Sequence, residues 1–161
     1  MLWAWAYRNA KRAEELLAPH CEEIAIVGSV RRQKQECKDV EIVCIPKPFD
    51  TGLFESGIVT VLNQWKCVKG HPPCKYTQRI LPSEVVLDLF FAVRENYGII
   101  KTLRTGSSDF NIGKVVTAVK RSGYTLSDGF LWADGKKISV PDEHSFFTRI
   151  GLEWVEPKDR K

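Results

Sequence analysis

Gly28-Ser29-Val30-Arg31-Arg32, followed after a short polar stretch by Asp39-Val40-Glu41, decides how the rest of this 161-residue chain is read. Along a strand, successive side chains alternate between faces. Asp39 and Glu41 are therefore expected to project together, while Val40 and Ile42 turn toward a core. Two aligned carboxylates repel each other unless a cation lies between them, and hard oxygen donors suit Mg²⁺. Just upstream, a glycine, a hydroxyl and the backbone N–H groups of a turn let a phosphate approach closely. Arg31 and Arg32 add positive charge at that turn.

A third acid comes later. Val85-Val86-Leu87-Asp88-Leu89-Phe90-Phe91 reads as a buried strand with one carboxylate in its middle. An isolated ionised carboxylate is costly in such surroundings, so Asp88 requires a partner, a metal or a raised pKa. If this strand lies beside the first, three carboxylates converge, enough for two divalent ions about 4 Å apart. Taken singly, each feature has a plainer reading. A D-x-E strand is most often a solvated face, a lone buried Asp is most often a hydrogen-bonded structural acid, and a Gly-Ser turn is common. Their combination and order favour nucleotidyl transfer.

These residues resemble the family X DNA polymerases, within the wider nucleotidyltransferase superfamily. The family's Gly-Ser-x-Arg-Arg turn, its Asp-x-Asp pair and its later third Asp appear here as GSVRRQKQECKDVE and VVLDLFF. Thr105-Gly106-Ser107-Ser108-Asp109-Phe110-Asn111 is similar to the family's T-G-S-x-x-F-N segment, which contacts the incoming nucleotide. The stretch from Asp142 through Phe146-Phe147 and Ile150-Gly151-Leu152 to Pro157 is similar to the family's C-terminal end. The resemblance implies that Asp39, Glu41 and Asp88 are catalytic and bind two Mg²⁺ ions, with Mn²⁺ as an alternative. Asp88 would also accept the proton of a primer 3′-hydroxyl. Gly28, Ser29 and Arg32 would hold the triphosphate, Arg32 offsetting charge on the leaving pyrophosphate. Leu103, Arg104, Gly106 and Asn111 would lie along the nucleotide's sugar and base.

Three positions depart from the family pattern. Glu41 stands where Asp is usual and is one methylene longer. Leu103-Arg104 occupy the places of two aromatics that in the family help exclude a ribose 2′-hydroxyl. Val115 stands where an arginine commonly monitors the template-side pair.

The net charge of +4 permits a nucleic-acid partner without requiring one. Lys114, Lys120 and Arg121 recur on a helical segment and Lys136-Lys137 sit at a hairpin. These five are the candidate DNA contacts, with Lys158, Arg160 and Lys161 extending the phosphate-tracking surface. Each lysine alone is more simply a solvated one. Five cysteines, Cys21, Cys37, Cys44, Cys67 and Cys74, have no paired C-x-x-C zinc spacing, and the odd count argues against a fully bridged secreted scaffold. Reduced thiols are expected, with a Cys67–Cys74 bridge across the Gly70-His71-Pro72-Pro73 turn as a lesser option. No apolar run approaches the ~20 residues of a membrane helix, and the charged amino terminus is no signal peptide. A cytoplasmic, viral or nucleoid-associated monomer is expected, and not a secreted protein.

The expected fold is α+β: a nucleotidyltransferase palm over residues 1–95, with a mixed or antiparallel sheet and helices on one face, then a small α/β thumb over 96–161. Apolar positions at Trp3, Ala6, Ala10, Ala13 and Leu17 predict a first helix that Pro19 ends, with Trp3 and Trp5 as core or interface anchors and base stacking as their lesser reading. Glu23–Arg32 and Asp39–Ile45 predict an antiparallel hairpin with Gln33–Lys38 as its turn. Thr51–Trp65 predicts an amphipathic helix with Leu53, Phe54, Ile58, Val61 and Leu62 inward. Strands are expected at Cys74–Leu81 and Glu84–Val93. Beyond a boundary at Arg94–Gly98, Ser108 or Asp109 caps a helix through Lys114–Arg121 that ends at Gly123. Asp134-Gly135 predicts a hairpin turn, and Asp142 caps a closing helix. The resemblance implies the minimal palm-plus-thumb form, similar to the smallest viral polymerases of the family, without an amino-terminal lyase region.

The sequence thus predicts a DNA polymerase that fills short gaps in DNA repair, taking a deoxynucleoside triphosphate and a primer-template or gapped DNA. Two rivals are a nucleotidyltransferase with another acceptor (a tRNA end, a protein or a small molecule) and a catalytically impaired nucleic-acid-binding module.

Overall fold

Alanine at every third or fourth position gives the first helix a narrow apolar stripe that fits close against a sheet. In the computed structural model, which describes residues 1–48 and 57–161, helix α1 spans Trp3–Leu17. Its Ala6, Ala10, Ala13 and Leu17 are buried. A 3₁₀ turn, Ala18–His20 with Pro19 inside it, leads into β1, Cys21–Val27. The expected first strand extended to Arg32, but β1 stops at Val27. Gly28–Arg31 instead form a helical turn, α2, closed by the Arg32 N–H donating to the Gly28 carbonyl at 3.1 Å. Gly28 takes φ +65°, which a side-chain-bearing residue adopts only at a cost, so the strand breaks there.

Strand β2, Val40–Pro46, returns antiparallel to β1 and ends at its proline. Of the expected helix over 51–65, residues 51–56 lie outside the described residues, Leu53 and Phe54 among them. The described helix α3 is Gly57–Leu62, with Ile58, Val61 and Leu62 buried. A strand that sequence reasoning missed, β3 at Lys66–Lys69, is followed by β4, Tyr76–Ile80, and β5, Val86–Phe91. The five strands lie in the order β1-β2-β5-β4-β3; only the β2–β5 pairing is parallel. Ala6, Ala10, Ala13 and Leu17 of α1 and Ile58 and Leu62 of α3 share one core with Val40, Ile42, Cys44, Leu87 and Leu89 of the sheet. All five cysteines carry free thiols.

The chain divides into two compact units, Met1–Ala92 and Val93–Lys161. The second opens with α4, Tyr97–Thr105, then α5, Ser108–Phe110, which runs through a π-helical stretch, Asn111–Val116, into α6, Thr117–Arg121. The cap is Ser107, one residue before the expected pair; its hydroxyl accepts from the Phe110 N–H at 3.1 Å. A three-stranded antiparallel sheet follows: β6, Thr125–Ser127, β7, Phe130–Ala133, and β8, Lys136–Ile138. Both of its turns are Asp-Gly pairs with positive φ at each residue, Asp128-Gly129 and Asp134-Gly135, which matches the twist of the flanking strands. Helix α7, Glu143–Arg149, is capped by the Asp142 carboxylate accepting from the Ser145 N–H at 2.8 Å. The core of this unit is Ile99, Phe110, Val115, Val119, Leu131, Val140, Phe146, Phe147 and Ile150.

The last residues of the chain are drawn into this second unit. Arg160 is 1% exposed, its Nη1 lies 2.9 Å from Glu143 Oε1, and its guanidinium sits 4.9 Å from the ring centres of both Phe147 and Trp154. Arg160 is therefore withdrawn from the phosphate-tracking surface proposed for it, because an inward carboxylate and two aromatic rings outcompete solvent. The architecture is α+β throughout. Among the described residues, no helix is long and apolar enough to cross a membrane.

Candidate functional site

Residues paired across adjacent strands share a face, so the register reads out a row of side chains. Val27, Glu41, Asp88, Gln78 and Lys69 stand side by side across all five strands. Glu41 on β2 and Asp88 on β5 are direct partners in the parallel pairing. The residues that alternate with them, Val40, Ile42, Leu87 and Leu89, belong to the helix-covered core. The acids thus project from the opposite face, both half-buried. Asp39 lies one residue ahead of β2, not within it as expected. Helical turn α2 and the loop after it consume the chain that would have extended the strand.

The loop is tied down by the amino terminus. The Trp3 N–H donates to the Gln35 carbonyl, the Cys37 N–H to the Met1 carbonyl, and the Trp3 indole N–H to the Val30 carbonyl at 2.8 Å. These bonds fix the Gly28–Arg32 turn against the end of β2. Gly28 has no room for a side chain: a Cβ there would fall 1.7 Å from Glu41 Oε2. The Glu41 carboxylate lies directly against the glycine, and Arg32 is close enough to feel its charge. Burial nevertheless pulls the Arg32 guanidinium below its ordinary value, with Glu41 and then Cys37 opposing.

Asp39 and Asp88 also interact. The Asp39 carboxyl is raised above 3.8, first by burial and then by the neighbouring Asp88 charge, against its own backbone N–H and Lys38. The acids are therefore brought together pairwise, Glu41 beside Asp88 and Asp39 within the field of Asp88. They are not drawn into one shell: among the described residues no three His, Cys, Asp or Glu side chains form a ready metal-holding group. Repulsion explains the spread, since each carboxylate turns to a different neighbour, Glu41 toward the Gly28–Arg32 turn and Asp88 toward β4. The donor chemistry fits a hard divalent cation, being all carboxylate oxygen and with one carboxyl already raised beside a like charge.

Two residues on β4 complete the site and were missed in the sequence. The Tyr76 hydroxyl donates to Asp88 Oδ1 at 2.7 Å and Gln78 Nε2 donates to the same oxygen at 2.8 Å. The Tyr76 ring stacks on Phe90 at 5.1 Å, which fixes where its hydroxyl points. Two donors on one oxygen orient the carboxylate and leave Oδ2 outside this bonding. The available signal was alternation: Tyr76 and Gln78 sit two apart in a strand adjacent to one carrying a lone acid.

In the second unit, Gly106 is buried at the end of α4 with φ +67°. Asn111 opens the π-helical stretch, and its Nδ2 donates to the Leu103 carbonyl at 2.7 Å while its Oδ1 is buried without a hydrogen bond. Leu103 is partly buried against the core and Arg104 is exposed. Lys114, Lys120, Arg121, Lys136 and Lys137 are all exposed, with the Lys137 ammonium 4.1 Å from the Phe130 ring centre. Val115 is fully buried in the core.

The family model described as DNA polymerase beta thumb matches residues 102–161. No curated protein matches the chain. The C-terminal part of the chain is thus similar to a DNA polymerase thumb.

Proposed function

We propose that the chain is a small family X-like DNA polymerase, with residues 1–95 as its nucleotidyltransferase palm and 96–161 as its thumb. The observation that carries this reading is the Glu41–Asp88 pairing on adjacent strands, with Glu41 set against Gly28 of the glycine-serine turn. The thumb match over 102–161 supports a polymerase over other nucleotidyltransferases.

In this reading Asp39, Glu41 and Asp88 hold Mg²⁺ or Mn²⁺. Bound there, the metal would supply charge neutralisation for the triphosphate and a more acidic 3′-hydroxyl. Ser29, Arg32 and the N–H groups of the turn grip the β- and γ-phosphates. The primer 3′-oxygen attacks the α-phosphorus in line, forming the new P–O bond as the α–β bond breaks and pyrophosphate leaves. Asp88 takes the hydroxyl proton. Gly106 and Asn111 rest against sugar and base, and Lys114, Lys120, Arg121, Lys136 and Lys137 meet DNA phosphates. Short-gap filling in repair is the task proposed.

One observation favours a second reading, a nucleic-acid-binding module with impaired catalysis. Asp88 is already held by two donors, and among the described residues no three-ligand group is assembled. A longer second acid, Glu41, weakens one metal position in the same direction.

Extension of a labelled primer on single-nucleotide-gapped DNA, with each deoxynucleotide and Mg²⁺ or Mn²⁺, tests the proposal. Asp88→Ala protein and an unpaired primer are run alongside. Template-directed addition that vanishes in the variant is the expected result. Addition only to the unpaired primer would indicate a terminal transferase. No addition, with nucleotide affinity indifferent to Mg²⁺, would favour the binding module; no addition with Mg²⁺-dependent nucleotide binding would favour another acceptor.

A further inference from the structure

Helix α1 buries its alanine stripe and still presents large aromatic rings to solvent. Trp5 is 45% exposed and Tyr7 42%. Tyr7 stacks on Trp3 with ring centres 5.0 Å apart and planes 15° from parallel, and the Arg8 guanidinium lies 5.9 Å from the Trp5 ring centre. Beside the Trp3–Tyr7 stack runs an open groove of 580 Å³ whose lining includes Trp3, Tyr7, Arg8, Lys11, Arg12 and Glu15, three cations to one carboxylate, with Trp5 outside the lining and next to Arg8. One wall of the groove, the Trp3 indole, is hydrogen-bonded to the Val30 carbonyl of the Gly28–Arg32 turn.

We propose that this exposed side of α1 binds single-stranded nucleic acid, with bases stacking on Trp5 and Tyr7 and phosphates meeting Arg8 and Arg12, while Lys11 is already paired with Glu14. Aromatic faces interleaved with cations are the two components that sequence-tolerant single-strand binding requires. Glu14 and Glu15 argue against insertion into a bilayer: they lie among the rings and cations, where an interfacial helix would carry a broad apolar face. The excess of cations selects a polyanion over a neutral protein surface. The inference stands apart from catalysis, because binding here uses neither Asp39, Glu41, Asp88 nor a metal.

The test is fluorescence anisotropy of a dye-labelled oligothymidylate of about 16 nucleotides, titrated with the full chain in EDTA so that metal-dependent events are silent. Trp5→Ala/Tyr7→Ala is expected to weaken binding roughly tenfold or more, from the energy of base–aromatic stacking, while Trp5→Phe keeps most of it. Arg8→Gln/Arg12→Gln is expected to flatten the plot of log affinity against log salt by about 1.4, two phosphates at ~0.7 each. Both rings are solvent-facing, and circular dichroism matching the wild type confirms that the variants fold. Wild-type affinity in the double aromatic variant would overturn the proposal. So would failure of the wild-type chain to bind the oligonucleotide. Trp5-dependent sedimentation with phosphatidylserine vesicles, or Trp5-dependent dimerisation, in place of oligonucleotide binding would overturn it too.

Discussion

Phenylalanine at position 76 removes one oxygen and leaves the ring stacked on Phe90, so it isolates the bond between the Tyr76 hydroxyl and Asp88 Oδ1. A hydrogen bond to a charged group is worth about 1.5–3 kcal/mol. Asp88 is half-buried and keeps its bond from Gln78 at 2.8 Å, which places the loss near the lower end, ~1.5 kcal/mol or about tenfold. If the chain is the proposed polymerase and Tyr76 orients the carboxylate, Tyr76→Phe should lower the single-turnover rate of gap filling about tenfold. The apparent affinity for the nucleotide changes little, because in the proposed reading the triphosphate would be held by the separate turn at Ser29 and Arg32. Gln78→Leu acts on the same oxygen and has a similar effect, and the pair together exceeds the product of the two because no donor then restrains the carboxylate. A urea double-mutant cycle of Tyr76→Phe with Asp88→Asn supplies a readout independent of activity, with a coupling of about 1 kcal/mol expected. A coupling below about 0.3 kcal/mol, within ordinary additivity, would refute the assigned strength of the bond. A faster Tyr76→Phe enzyme with tighter Mg²⁺ dependence would refute the positioning role, since the phenol would then be competing with the cation.

Gly28→Ala forces a Cβ into the space of Glu41 Oε2 at a backbone φ of +65°. A strain of roughly 1–2 kcal/mol is expected, and calorimetric titration should show the Mg²⁺-dependent part of nucleotide affinity falling as the carboxylate swings away. Asp39 gives a pH-dependent prediction. Its folded-state pKa is raised, so the folded protein holds that proton more tightly than the unfolded chain does. The ionised group therefore costs stability at neutral pH, and the cost disappears as pH falls through the raised value toward 3.8. Asp39→Asn should accordingly raise the urea midpoint at about pH 7 in EDTA and lose its advantage near pH 4. Removing one partner of the buried Arg160–Glu143 pair, by Arg160→Met, should destabilise the second unit by about 3–5 kcal/mol, followed through Trp154 fluorescence in urea. Arg160→Met/Glu143→Leu should recover much of that loss, because no uncompensated charge then stays buried.

Local signals carried what local chemistry controls. The alanine spacing of α1, the Asp134-Gly135 turn and the Asp142 cap each follow from a few neighbouring residues, and each stands where the sequence implies. The failures are non-local. Arg160 reads as one more exposed cation until Glu143, 17 residues earlier, is placed beside it. The strand carrying Asp39 was drawn too long because nothing local reveals that residues 35–37 are pinned by the amino terminus. The acids themselves were legible, and their environment was not. A buried acid in an apolar strand demands donors, and the sheet supplies them from the next strand, where antiparallel register sets Gln78 beside Asp88 and stacking on Phe90 aims Tyr76 at the same oxygen. The useful sequence rule is therefore a paired one: an acid alone in an apolar strand should be sought together with a second strand whose alternate positions carry hydrogen-bond donors, because burial makes each necessary to the other.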